Sequence, residues 1–385
     1  MVPSLLPRLA KLAYVTGMLG VVSLGTLNLI AKVVPDVALD GVEVTAKAPT
    51  FTFDAVRNEE FQKNATSWFE QHWGLRGYAV RTDNTIVYRL FGESRAGRVV
   101  IARSGALISS EDIVYASRDD GRDAVAAMAE LVGRVQRKMR RRGNILVPLV
   151  IPSKTSFYRH DVPRAWQRRG SYGASDRTLY GTFVEALKNA DVSFVDSRAL
   201  LAEPQNPADS VFAPTGRHWR FSGACRVLQA VLDVARPELP EIGAEQLDCH
   251  SRLVADADIA SEDYDLFRLL NVWGPPPPGM NVSILDGKRA SPALQVPTLL
   301  VGSSFVTTFT KVTEHLQALR PSLHYYYDVS VLDTSTLAFV KKVEPFTEQW
   351  RADTFGKKLV VLGILETFLP EDGAKFLAEM DKELD

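Results

Sequence analysis

A chain of 385 residues with 46% hydrophobic and 24% charged residues can bury a sizeable core in one large domain or two modest ones, which excludes general disorder. Its formal net charge of -1 gives no global pull toward nucleic acid or an acidic membrane face. The basic run at residues 137–142, RKMRRR, reads as the solvated end of a helix.

Residues 12–31, LAYVTGMLGVVSLGTLNLIA, form an uncharged run of 20, about enough to cross a ~30 Å hydrocarbon core as a helix. Arg8 and Lys11 precede it, and Asp36 and Asp40 follow it with Lys32 close behind. This favours a cytoplasmic N-terminus and an exported body. No convincing small-x-small cleavage site ends the run, so a retained signal anchor is expected over a removed signal peptide or a buried core helix. Residues 1–34 are therefore assigned to a transmembrane anchor, 35–54 to a polar linker and 55–385 to the main domain.

Residues 61–94 read as helix, with Phe61, Trp68, Phe69 and Trp73 among the expected core anchors. Short apolar runs follow at 98–101 and around Leu107, then a charged helical stretch at about 119–141. Strands are expected at 144–151, 192–195, 296–301 and 358–365, and helices at 178–189, 222–235 and 307–319. The alternation predicts an α/β fold, a mostly parallel sheet flanked by helices, with a ligand site at the carboxyl ends of its strands. The GPPPPG segment at 274–279 reads as a rigid loop. Cys225 and Cys249 are the only cysteines, and in an exported chain they can pair or remain two buried thiols. No metal-ligand cluster is recognised.

The strand at 296–301 runs through Gly302 and Ser303 to Ser304 and into a helix, a turn that exposes a serine beside helix N–H donors. A serine at a helix start can equally be an N-cap. A nucleophilic serine needs a base. Six histidines are available, and His218 stands in the patterned loop APTGRHWRFSGA just before a helix.

Four segments carry a family resemblance. They are WFEQHWGLRGYAVRTDNTIVYRLFGES, followed by Ser104-Gly105-Ala106-Leu107; VPLVIPSKTSFY; TGRHWRFSGA; and VGSSF. Together they resemble the membrane-associated SGNH-hydrolase-like proteins of the alginate O-acetyltransferase group (AlgJ/AlgX-like), which acetylate exported polysaccharides. The resemblance implies Ser304 as the acyl-accepting nucleophile and His218 as its base. Ser303, Lys154 and Trp219 become oxyanion or substrate-binding candidates, although Lys154 also fits a solvated loop and Trp219 a core position. It further implies no cofactor, a polysaccharide substrate, and a membrane-bound O-acyltransferase supplying acetyl groups to a single-pass inner-membrane protein whose body faces the periplasm.

One position departs from the family pattern. The carboxylate expected two residues before the histidine is replaced by Gly216. Either a weak Ser-His pair operates, or a carboxylate arrives from elsewhere, with Asp196, Asp209 and Asp328 as donors by chain position, or the chain is a non-catalytic scaffold or polysaccharide-binding subunit. A carbohydrate acetylesterase shares the first half-reaction and also remains open.

Overall fold

In the computed structural model, the described residues are 5–118, 120–167, 178–201, 210–255, 261–277 and 279–385. They divide into two compact units, Met1–Ala96 with Arg268–Pro275, and Gly97–Phe267 with Pro276–Asp385. Asp209 and part of the proline-rich loop lie outside the described residues.

The first unit is helical. Its opening helix, Leu5–Ala31, contains the segment Leu9–Ala31, 23 residues long and apolar enough to cross a membrane. At 1.5 Å per residue that segment is about 35 Å long. Leu12, Val15, Leu19 and Leu27 are exposed along it. The polar residue near its end is satisfied locally: the Asn28 amide donates to the carbonyls of Gly74 at 2.8 Å and Val34 at 3.0 Å, and its oxygen accepts the Val34 N–H. Gly25 has no side chain because the Trp73 indole occupies that space. The expected 61–94 helix is broken into Glu60–His72 and Arg76–Ile86. Its aromatic residues are not core anchors. Glu60–His72 buries no residue, and Trp68 stacks on His72 instead, with ring centres 4.8 Å apart.

The second unit opens with an antiparallel pair, β1 (Val99–Ile101) and β2 (Leu107–Ser109). The main sheet comprises β3 (Ile145–Ile151) and β4 (Val195–Asp196), then, beyond an antiparallel pair β5 (Ser251–Val254) and β6 (Val282–Leu285), the strands β7 (Pro297–Gly302), β8 (Arg320–Tyr326), β9 (Ser330–Asp333), β10 (Phe339–Lys342) and β11 (Leu359–Leu365). Their order is β10-β9-β8-β7-β11-β3-β4. The five strands from β8 to β4 run parallel, as the alternating pattern predicts, while β9 and β10 add an antiparallel edge that the pattern did not reveal.

Both faces of β3 and β11 are buried, and the two-residue period divides their side chains between two cores. Val147, Leu149, Val361 and Leu365 pack with the helices Phe221–Ala235 and Ser304–Leu316. Leu146, Val150, Val360 and Leu362 pack on the other face with Arg122–Arg141 and Leu179–Asn189. Such strands carry continuous apolar runs, which is why residues 144–151 and 358–365 stand out in the sequence.

Cys225 and Cys249 are bonded, with Cα atoms 5.6 Å apart, which resolves the two alternatives in favour of a disulfide. Cys225 is fully buried on the helix Phe221–Ala235, the helix that the histidine loop enters. Closing this loop contributes about 3 kcal/mol in the chain-entropy treatment. Cys225→Ala, or reduction of the wild type, is expected to lower unfolding stability by about that amount, read as a drop in thermal midpoint that reductant does not deepen further in the variant.

Candidate active site

Ser304 is placed by the sheet. β7 ends at Gly302, whose φ of +145° and lack of a side chain are both required, since a Cβ there would lie 2.7 Å from the Gly363 carbonyl and from Val306 Cγ2. Gly363 on β11 is equally confined, with Val306 Cγ2 2.4 Å from the position of its missing Cβ. The two glycines let the helix Ser304–Leu316 start hard against the ends of two central strands. The Gly302 carbonyl accepts the Tyr327 N–H at 3.0 Å and His324 Nε2–H at 3.2 Å. Burial pulls the His324 imidazole down to about 4, so it is a neutral structural donor near pH 7. Ser303 occupies the N-cap position without making a capping bond, and its hydroxyl is buried without a hydrogen-bond partner among the described residues. Ser304 is only partly buried, and since the Val306 N–H is taken by the Ser303 carbonyl at 2.9 Å, the oxyanion donors the helix start can offer are the N–H groups of Ser304 and Phe305.

His218 comes from the loop before Phe221–Ala235. Its Nε2 lies 2.8 Å from Ser304 Oγ, and its Nδ1 lies 2.5 Å from Oδ2 of Asp265. With Nδ1–H donating to the carboxylate, Nε2 is free to accept the serine proton. The other oxygen of Asp265 accepts the backbone N–H groups of Arg217 at 2.7 Å and Leu266 at 2.6 Å. The imidazole also packs on Phe305, with ring centres 4.9 Å apart. A hydroxyl, an imidazole and a carboxylate joined in this order form the arrangement that activates an oxygen nucleophile.

The carboxylate that meets His218 therefore stands 47 residues beyond the histidine, at none of the three positions considered. Asp196 instead caps the short helix Ser197–Leu200. Asp328 is buried and accepts the Phe376 N–H. Sequence reasoning missed Asp265 because nothing local marks it. The available signal was Gly216 itself. A Cβ at Gly216 would lie 2.7 Å from the Glu262 carbonyl and 3.0 Å from Asp263 Cα, so the glycine admits the backbone strap that carries Asp265.

Other bonds fasten the strap. Thr215 Oγ1 donates to the Asp263 carbonyl at 2.6 Å, the Phe267 N–H donates to the Thr215 carbonyl at 3.2 Å, and Asp263 accepts the Ser283 N–H at 2.8 Å. Arg217, a residue the sequence reading left without a role, forks onto the fully buried Asp112 at 2.6 and 3.2 Å.

Lys154 and Trp219 do not present free surfaces to a ligand. Lys154 is buried, and its Nζ donates to the carbonyls of Ala213, Pro214 and Gly216 at 2.6, 3.0 and 2.9 Å. It is neither solvated nor at a cleft wall, and it holds the histidine loop by its backbone. Trp219 is 1% exposed and donates from Nε1 to the Phe305 carbonyl at 3.0 Å, tying the histidine loop to the serine helix. Among the described residues, no group of three or more His, Cys, Asp or Glu side chains is gathered as metal ligands.

The model of the SGNH hydrolase-like domain of acetyltransferase AlgX matches residues 99–362, more than half of the chain. The chain belongs to this AlgX family. Residues Ser304, His218 and Asp265 all lie within the matched region. The "Probable alginate O-acetylase AlgJ" of Pseudomonas aeruginosa is 35% identical over 144 residues, 37% of this chain and 34% of that protein. The match thus spans about a third of that relative's length. The O-acetyltransferase domain of Pseudomonas putida AlgJ is 18% identical with a TM-score of 0.45, over 74% of this chain and 99% of that one. Pseudomonas aeruginosa AlgX is 16% identical with a TM-score of 0.45, over 69% and 61%.

Two substitutions test how the site is built. Gly216→Asp restores the family pattern in sequence, yet it is expected to displace the strap, cutting acetyl-ester turnover and lowering the thermal midpoint rather than improving either. Turnover at or above wild type would show that the strap position is not needed. The second concerns Lys154, whose ammonium burial pulls down from 10.5 to about 7. Between those values the native state binds fewer protons than the unfolded chain, so this group's contribution to stability rises with pH over that window. Lys154→Met is expected to remove this rise, seen by comparing denaturant unfolding of the two proteins from pH 7 to 10, and to cost about 3 kcal/mol from carbonyls left without donors.

Proposed function

We propose that this protein acetylates hydroxyl groups of an exported bacterial polysaccharide through a Ser304 ester. The observation that carries the proposal is the unbroken chain from Ser304 Oγ to His218 to Asp265, at 2.8 and 2.5 Å. Ser304 attacks the acetyl carbonyl carbon of the donor while His218 Nε2 takes the hydroxyl proton. Helix N–H groups receive the developing oxyanion. Collapse expels the donor's alcohol or thiol, which takes the proton from His218, and leaves acetyl-Ser304. An acceptor sugar hydroxyl then loses its proton to His218, attacks the acetyl carbon, and frees the serine, which regains a proton from the imidazolium. Asp265 orients the imidazole and stabilises its cation throughout.

The AlgJ relative is named as an alginate O-acetylase, and alginate is accordingly the first acceptor to offer this chain. The segment Leu9–Ala31 anchors the protein in the inner membrane in this reading, and the Cys225–Cys249 bond fits a body on the oxidising, periplasmic side. Cytosolic acetyl donors do not reach such a site, so a membrane-bound O-acyltransferase would hand the acetyl group across the bilayer.

The complete Ser-His-Asp chain favours an enzyme over a scaffold. Full-length protein in detergent should hydrolyse a chromogenic acetyl ester, and Ser304→Ala and His218→Ala should abolish turnover above background. Asp265→Asn should lower kcat by about 10⁴-fold, as loss of the orienting carboxylate does in a serine triad. Turnover unaffected by these changes in folded protein would overturn the assignment. Added polysaccharide that captures the acetyl group separates a transferase from an acetylesterase.

A further inference from the structure

β8 and β9 are joined by a tight turn whose backbone is unsuited to its side chains. Val329 N–H donates to the Tyr326 carbonyl at 3.1 Å, and the two central residues, Tyr327 and Asp328, have φ values of 49° and 54°. Positive φ at both central positions belongs to the turn type that selects Asn-Gly or Asp-Gly. A tyrosine in the first of these positions is strained, and such strain persists only where the surroundings over-determine it.

The surroundings do so here. The Tyr327 N–H donates to the Gly302 carbonyl at 3.0 Å, the Val343 N–H to the Val329 carbonyl at 2.8 Å, and Lys375 Nζ to the Asp328 carbonyl at 3.3 Å. The strain is spent on a side chain that contributes little to the core. Tyr327 is 38% exposed, whereas Tyr325, two residues earlier on β8, is 1% exposed. Its backbone is bonded to Gly302, two residues before Ser304, and Tyr326 is the register partner of that glycine.

Tyr327 also heads a row of rings. Its centre lies 6.1 Å from that of Phe368 with the ring planes at 73°, and Phe368 lies 6.0 Å from Tyr115 at 69°, so the three rings meet edge to face and Phe368 and Tyr115, both only partly buried, buttress Tyr327 rather than extend its face. Arg118 lies over the Tyr115 ring and pairs with Asp120, so that face of Tyr115 is covered, and Arg217 pairs with Asp112 and Glu111. Of the three rings Tyr327 is the exposed one, and it presents an apolar face with a polar tip.

We infer that Tyr327 is the ring on which a pyranose unit of the acceptor polysaccharide stacks beside Ser304. This rests on the reading of Ser304 as the acetyl carrier. A pyranose presents a face of C–H groups to an aromatic ring and hydroxyls at its rim, a match for a side chain with an apolar body and a polar tip. Recognition of the ring face predicts that neutral and uronate chains bind alike.

The test is calorimetric titration of the full-length protein carrying Ser304→Ala, in detergent, with a cellulose hexasaccharide and a mannuronate hexasaccharide as probes. Adding Tyr327→Asn, which suits the turn better, should keep or raise the thermal midpoint while weakening both affinities about tenfold. Tyr327→Phe should stay within about twofold of the parent, because it keeps the ring. Equal affinity in Tyr327→Asn, binding of the uronate chain alone, or binding of neither probe by the parent would overturn the stacking role. Binding in this background does not require acylation, so failure of the Ser304 chemistry registers separately, as ester turnover that survives Ser304→Ala.

Discussion

The site depends on one close approach of backbone to backbone, the strap at residues 261–267 lying on the histidine loop at Gly216. The space that a Cβ would fill is taken by the Glu262 carbonyl and Asp263 Cα, so the contact exists only because position 216 is glycine. From that contact the rest follows. Thr215 and Phe267 close hydrogen bonds across it, Asp265 arrives with one oxygen held by two N–H groups, and its other oxygen meets His218. Lys154 supports the loop from beneath by gathering three of its carbonyls. A buried ammonium is costly to desolvate, and here it is tolerated because all of its donors are used.

Ser304 is positioned by a different element. Gly302 and Gly363 bring the serine helix against the ends of β7 and β11, and His324 and Tyr327 hold the Gly302 carbonyl from the neighbouring strand side. Ser304 thus belongs to the sheet, and His218 with Asp265 to a loop and its strap. Trp219 bonding to the Phe305 carbonyl and Phe305 packing on the His218 ring join the two parts. Catalytic geometry needs this kind of support, since small displacements of a hydrogen-bonded base are costly in rate.

Much of the sheet was legible because β3, β7 and β11 are buried on both faces and carry uninterrupted apolar runs. The short edge strands β9 and β10 were not, since Phe339-Val340-Lys341-Lys342 is mostly exposed and lacks such a run. The serine and histidine could be read from strand-turn-helix pattern and family likeness. Asp265 could not, because hydrogen bonding across 47 residues leaves no periodic trace in sequence. Lys154 was visible as a residue yet misread in role, for a lysine after a strand is ordinarily solvated and only the fold brings Ala213, Pro214 and Gly216 around it.

Gly216 illustrates why a missing motif residue is weak evidence of lost chemistry. What the imidazole requires is a carboxylate oxygen on Nδ1 in a fixed orientation, and the origin of that oxygen in the chain is immaterial to the reaction. An aspartate two residues before His218 would be braced by its own loop. Asp265 is braced from both segments, by the N–H of Leu266 on the strap and the N–H of Arg217 on the histidine loop. The same deletion of a side chain that removes the expected acid opens the space through which the observed one enters, so the two positions are alternatives in packing as well as in chemistry.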